Sequence, residues 1–312
     1  MKNNKITMKK LGFLITFVGL SLGISAQNQS QYTGALLWKV SGKDLKKPSY
    51  IVGTHHAVPV SYVDSIRGLK RTLKQVKQVV GEIELLNSAK ITGVMIQFSQ
   101  MPAGHSYKSV LSDEEYSLLD KALSKNLGMG LNKLENIHPA TISTMLGQKI
   151  CMQLFPEMRM PNFEPIDMYV QKIAHNQKKN VAGLETAEEQ FEILYNSEPI
   201  EKQIKDLLCF IKDMDEQRDN LMEITEFYYQ KQLDKIYEQF YKDLGSDGDC
   251  VASETSLLAL NSNRNDKWLT ILPQIMKKKP SLIAVGAGHL GGESGLLQKL
   301  DKMGYTITPV IE

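Results

Sequence analysis

Ser281-Leu-Ile-Ala-Val-Gly-Ala-Gly-His289 runs into Leu290-Gly-Gly292 and then Glu293-Ser-Gly-Leu-Leu-Gln-Lys-Leu300. The first part is a continuous apolar run of strand length. A glycine-rich loop carrying one histidine follows it, and then a helical pattern. The same order of features occurs near the N-terminus. There Ser49-Tyr-Ile-Val-Gly-Thr-His-His56 leads through Ala57-Val-Pro59 into a helical pattern from Tyr62. Each copy ends in Gly-x-x-His, with Gly53 preceding His56 and Gly286 preceding His289. A strand that delivers a histidine at its carboxyl end is the arrangement by which open α/β sheets build sites.

Working outward, Ala35–Val40 and Tyr50–Val52 flank a turn ending at Pro48 and read as a hairpin. Apolar residues at 62, 63, 66, 69, 73 and 76 have the helical period. Val79-Val-Gly-Glu-Ile-Glu-Leu85 follows as a strand. Strand, helix, strand at this spacing predicts a βαβ unit with two parallel neighbouring strands. The C-terminus repeats it, with strand 282–286, helix 293–303 and strand 305–311. Between the halves the signals are mostly helical. Ser112-Asp-Glu-Glu115 is a capping box, and a Met- and Leu-rich helix runs from Pro139 to about Leu154. A further helix spans Asp167 to Gln177, before a strand ending in Leu184-Glu185. The fold class expected is α/β: a central mixed, largely parallel sheet built from two βαβ halves, with a helical insertion over roughly 105–260.

Residues 1–26 have the form of a secretory signal. Lys2, Lys5, Lys9 and Lys10 precede the apolar Leu11–Ile24, and Ile24-Ser-Ala26 is a small-residue cleavage site. Export to the periplasm or the exterior is therefore expected, with a single domain over 27–312 and a polar, disordered start at 27–32. An uncleaved anchor is the alternative; no later stretch reaches the length of a membrane span. Removing the signal's four lysines from 37 basic residues leaves 33 against 35 acidic, a net charge of −2. That balance, with no basic patch interleaved with aromatics, argues against a nucleic-acid partner. Cys151, Cys209 and Cys250 match no zinc spacing and form no dense disulfide framework. One pair could bridge in an oxidising compartment.

Four polar residues fall at or near strand ends: His56, Glu82, Glu185 and His289. Two histidines with one or two carboxylates suit a divalent transition metal with an open position for water. Each also has a plainer explanation. A histidine after a strand is commonly structural, and a carboxylate before a helix, such as Glu185, commonly just serves the helix dipole. Residues 82 and 84 share one face, so either Glu82 or Glu84 could be the inward carboxylate. Arg264, with Asn265 at a helix start, could orient a carboxylate or bind a carbonyl, or form a surface ion pair. His55 is at most a support for His56. His105, His138 and His175 have no evident partners. Gly286, Gly288 and Gly291 satisfy Gly-x-Gly-x-x-Gly, yet no acidic strand end follows, and a histidine within the loop would crowd a pyrophosphate.

Taken together, these segments resemble the TraB/GumN family, and through it the Tiki metalloproteases and the fold of erythromycin-esterase and ChaN-like proteins. The matching pieces are Leu36-Leu-Trp-Lys-Val40, Tyr50–His56, Val79-Val-Gly-Glu82, Val181–Gln190, Arg264-Asn265 and Ala284–Gly292, with Gly304-Tyr305 near the end. They cover nearly the whole mature chain. The resemblance implies that His56 and His289 are paired site histidines and favours Glu82 over Glu84. It aligns Glu185 and Arg264 with further site positions, and implies manganese or cobalt, with zinc a further candidate. On this reading the protein is an exported metal-dependent hydrolase, peptidase-like, that takes a peptide or small-molecule substrate. His56, Glu82 and His289 would hold the metal, and Glu185 and Arg264 would assist catalysis. The alternatives are metal-free hydrolysis of the esterase type, by a histidine acting as general base with a glutamate orienting it, or non-catalytic capture of a peptide, metal or haem.

Overall fold

The computed structural model describes residues 32–242, 244 and 250–311. The expected signal and most of the polar stretch after it lie outside the described residues. Tyr32, the last residue of the stretch expected to be disordered, is instead buried, its ring edge-on to Trp38 at 5.5 Å.

Six strands form one sheet: β1 Leu37–Ser41, β2 Ser49–Thr54, β3 Gln78–Gly81, β4 Asn180–Gly183, β5 Ser281–Gly286 and β6 Thr306–Pro309. Their spatial order is β4-β3-β5-β2-β1-β6. The pairs β2·β5, β5·β3 and β3·β4 are parallel, and β1 is antiparallel to both β2 and β6. The class is mixed α/β with a largely parallel sheet, as the sequence predicts.

The neighbours differ from expectation. β2 and β3 are parallel but not adjacent, because β5 lies between them. β5 and β6 are likewise separated by β2 and β1. The reason is burial. Leu282–Val285 is apolar on both faces and fully buried, so β5 takes the centre. The β1–β2 hairpin already occupies one edge of β2 and leaves the other for β5. β3 is also shorter than predicted and stops at Gly81, so Glu82 is the first residue beyond a strand end. The helical stretch after β2 is a 3₁₀ turn, Val60–Ser65, and a helix, Leu69–Gln75, divided at Gly68 with φ +78°.

The insertion has its own core. Tyr107, Leu119, Leu123, Ile142, Leu146, Ile204 and Leu207 pack together apart from the residues lining the sheet. The capping box at Ser112 and Glu115 is present on the helix Asp113–Leu127, and the Pro139–Leu154 helix runs as predicted. The insertion is not continuous, however. The helix Ile166–Asn176 and β4 belong to the sheet layer, with Ile166, Val170 and Ala174 in the main core. Cys209 and Cys250 form a disulfide, Cα atoms 5.3 Å apart, and Cys151 is free. No helix among the described residues is long and apolar enough to cross a membrane.

Candidate functional site

The carboxyl ends of β3, β4 and β5 are contiguous in the sheet, and each delivers one polar residue. Glu82 follows β3, Glu185 lies two residues beyond β4, and His289 ends the 3₁₀ turn Ala287–His289 after β5. Arg264 comes to the same place from the helix Ser262–Lys278. Its side chain is only 8% exposed, so its charge must be met inside the protein.

All five guanidinium N–H groups have an acceptor. Nη2 donates to Glu82 and to Glu185, each at 2.5 Å. Nε donates to Glu185 at 3.1 Å, and Nη1 to the Leu260 carbonyl and to His289 Nε2, both at 3.2 Å. The Trp268 ring lies 4.7 Å from the guanidinium carbon. The two carboxylates outweigh burial and raise the Arg264 pKa above its ordinary value.

Glu185 has a fully buried side chain. Besides Arg264, it accepts from Trp268 Nε1 at 3.2 Å and Gln190 Nε2 at 3.2 Å. Both oxygens are thus committed to holding the cluster. Glu82 is the more open carboxylate, with 17% of its side chain exposed. It accepts from the Gly286 N–H at 2.7 Å and Gln190 at 3.1 Å, as well as from Arg264. Burial opposes its ionisation, but His289, Arg264 and the Gly286 N–H outweigh that and hold its pKa at about 2. His289 lies under the Trp268 ring at 4.6 Å, and burial lowers its pKa to about 4.

His56 differs from these four. Its Nδ1 lies 2.8 Å from Asp167 Oδ2, and its side chain is 75% exposed. The hydrogen bond to Asp167 raises its pKa to about 9, against the cost of desolvation. The charges of Glu82 and Arg264 reach it as well. With Nδ1 held by Asp167, Nε2 is the nitrogen left to face outward.

His55 turns the other way. Its Nδ1 accepts from the Ala57 N–H at 3.2 Å, and its Nε2 meets Thr225 Oγ1 at 3.3 Å. Its pKa is lowered to about 4, chiefly by burial. It is a structural anchor against the helix Met214–Tyr229. Glu84 lies outside the cluster, on a surface groove with Asn87 and Lys90.

The sheet therefore joins Glu82, Glu185, Arg264 and His289 in direct contact, with His56 nearby and tied to Asp167. Glu82 Oε1 and His289 Nε2 are 3.8 Å apart. As they stand, His56, Glu82 and His289 do not form a three-donor metal set, and the Arg264 cation occupies both Glu82 and His289. Among the described residues no group of three or more His, Cys, Asp or Glu is arranged to hold a metal ion.

Sequence reasoning did not assign Asp167, Gln190 or Trp268 to the site, because each reaches it from a helix face with no local motif. Asn265 was read only as part of the helix start. Asp167 at the first turn of a helix looks like an ordinary dipole partner. Two glycines of the loop after β5, Gly291 and Gly292, are explained by packing against protein. A Cβ on Gly291 would lie 2.4 Å from the Leu233 carbonyl oxygen, and the Gly292 N–H donates to Asp234. At Gly53 a Cβ would press on Leu290 and Ala287 at 3.0 and 3.2 Å, so the paired Gly-x-x-His segments touch across the sheet end.

Comparison with curated proteins and with solved structures gives no match. A family model, in contrast, matches residues 36–309, nearly all of the chain after the expected signal and every residue of the cluster. The chain belongs to the TraB/PrgY/gumN family.

Proposed function

We propose that this protein is a hydrolase that cleaves a peptide or another acyl substrate at the surface between His56 and the Glu82–Arg264–His289 cluster. The observation that carries the reading is the His56–Asp167 pair. An imidazole with Nδ1 bonded to a carboxylate and Nε2 facing water is positioned to move a proton to or from a bound substrate. The neighbouring buried cluster supplies a preorganised field at the same spot, and it needs no rearrangement at the moment of reaction. Glu185 and Arg264 act here as the frame that holds Glu82 and His289, rather than as groups that meet the substrate. This is close to the metal-free form of the hydrolase expectation, except that the orienting carboxylate is Asp167 and not a glutamate.

A metal-dependent reaction remains the rival proposal, and it requires Arg264 to give up Glu82 and His289. One assay separates the two. Purified protein lacking residues 1–26 is incubated with a peptide library and with chromogenic esters, after thorough chelation and again with Mn²⁺ or Co²⁺ added. The expected result is turnover that survives chelation and falls at least 100-fold in His56→Gln, on the scale of a lost general acid or base. Turnover only with added metal would replace this mechanism by the metal-dependent one. Absence of cleavage under every condition would sink the hydrolase reading.

We also propose that the mature chain works in an oxidising compartment outside the cytoplasm. The Cys209–Cys250 disulfide supports this, since such bridges persist where thiols are not kept reduced.

A further inference from the structure

The hydrogen bonds on His289 decide which ring nitrogen carries the proton. Arg264 Nη1 is 3.2 Å from Nε2. A guanidinium has no acceptor, so Nε2 must be the acceptor and must carry a lone pair. On the opposite side of the ring, Asn265 Oδ1 is 2.9 Å from Nδ1. The Asn265 amide cannot be turned round. Its Nδ2 faces the His289 carbonyl at 3.2 Å, the Ser294 carbonyl at 2.9 Å and Asn261 Oδ1 at 3.3 Å. Backbone carbonyls only accept. The Asn261 amide is oriented in its turn by donating to the Gly288 carbonyl at 2.8 Å. Asn265 Oδ1 therefore accepts, and Nδ1 must donate. Two partners on two sides of the ring favour one tautomer.

We infer that Asn265 is a positioning residue that holds His289 as the neutral Nδ1–H tautomer, keeping the Nε2 lone pair aimed at Arg264 and Glu82. Asn265 is fully buried, and with Asn261 and Arg264 it forms one helical turn. That turn grips the loop after β5 at the carbonyls of residues 288, 289 and 294. A single turn of helix thus sets both the loop's path and the chemical state of its histidine. In this state His289 offers an electron pair and not a proton. Its possible chemistry narrows to accepting a hydrogen bond, accepting a proton or donating to an electrophile. This assignment adds to the proposed hydrolase reading but needs no substrate to test.

The test is the protonation pattern of ¹⁵N-histidine-labelled protein at neutral pH, read from long-range ¹H–¹⁵N correlations, with His289 assigned by the loss of its signals in His289→Gln. The expected spectrum shows a protonated Nδ1 and an unprotonated Nε2. An Nε2–H tautomer or an imidazolium would overturn the inference. Asn265→Asp keeps an acceptor and should keep Nδ1 protonated. Asn265→Leu removes it and leaves a buried Nδ1–H without an acceptor, a cost set against the 3.2 Å contact of Arg264 with Nε2, and should move the proton or average the two tautomers. A pure Nδ1–H signature persisting in Asn265→Leu would show that Asn265 does not set the tautomer. If the Leu variant does not fold, the wild-type and Asp spectra still decide, since an unprotonated Nδ1 in either refutes the assignment.

Discussion

Arg264 is the residue on which the site's electrostatics turn. Its five donors are divided among two carboxylates, one imidazole and one carbonyl, so no donor is spare. Removing one partner of a buried ionic group leaves the other uncompensated, and that asymmetry makes such clusters sensitive. Glu185→Gln should lower folding stability by about 3 kcal/mol, measured as a shift in urea midpoint with unchanged slope. Arg264→Met combined with Glu185→Leu should cost clearly less than the two single changes added together, because the fully buried carboxylate is then gone and only the partly open Glu82 is left without its cation. Additive losses would mean that the cluster is not coupled as its geometry requires.

The elements that carry these residues are short, and their ends do the positioning. β3 and β4 have four residues each, and their job is to bring Glu82 and Glu185 to one level of the sheet. Helix starts matter equally. His138 caps the Pro139–Leu154 helix by accepting the Ala140 N–H on Nδ1 at 3.2 Å. It is 2% exposed, and burial lowers its pKa from 6.5 to about 4. The folded state therefore resists protonation that the unfolded chain accepts. Stability from this group is intact above pH 6.5 and is lost as pH falls from 6.5 towards 4. Between pH 7 and pH 5 the loss should be about 2 kcal/mol, with His55 and His289 adding losses of the same sign. His138→Asn keeps a capping acceptor without a titrating ring. Its stability, followed by denaturant titration at both pH values, should fall by about 2 kcal/mol less than the wild type's. An equal fall in the two proteins would show that His138 does not titrate as its burial demands.

At the scale of the whole molecule, the sheet with its flanking helices and the helical insertion have separate cores among the described residues. The Cys209–Cys250 bridge closes a loop over a sequence separation of 41 and ties the Ile200–Lys212 helix to the approach of the helix Glu254–Leu260. That segment leads directly into Arg264. Cys209→Ser with Cys250→Ser should lower stability by about 2–4 kcal/mol, read as the difference in denaturation midpoint between oxidised wild type and the variant. Reduction of the wild type should bring it down to the variant's value. A reduced wild type as stable as the oxidised protein would remove the bridge from any structural role.

Most of the class and several boundaries were legible in the linear pattern. Apolar runs of strand length, the Ser112 capping box and Pro139 at a helix start depend on neighbours a few residues away. So does the pairing of the two Gly-x-x-His segments, since each is a strand and its own turn. Strand order was not legible. That β5 separates β2 from β3 depends on which strand can bury both faces and which edge the hairpin leaves free, and these are competitions across the whole sheet. The partners of the site residues were hidden for the same reason. Glu82 reaches Arg264 across 182 positions, and His56, in the turn after β2, reaches Asp167 on the helix Ile166–Asn176. By itself the sequence determined that His56, Glu185 and His289 would come at strand ends, and its pattern left Glu82 and Glu84 both open in a strand read as running to Leu85. Only the tertiary structure decided that Arg264 pairs with both glutamates, that Asp167 holds His56 and that Asn265 sets the proton on His289. Hydrogen-bond partners are chosen by proximity in space, and proximity in space follows from the packing of the whole chain.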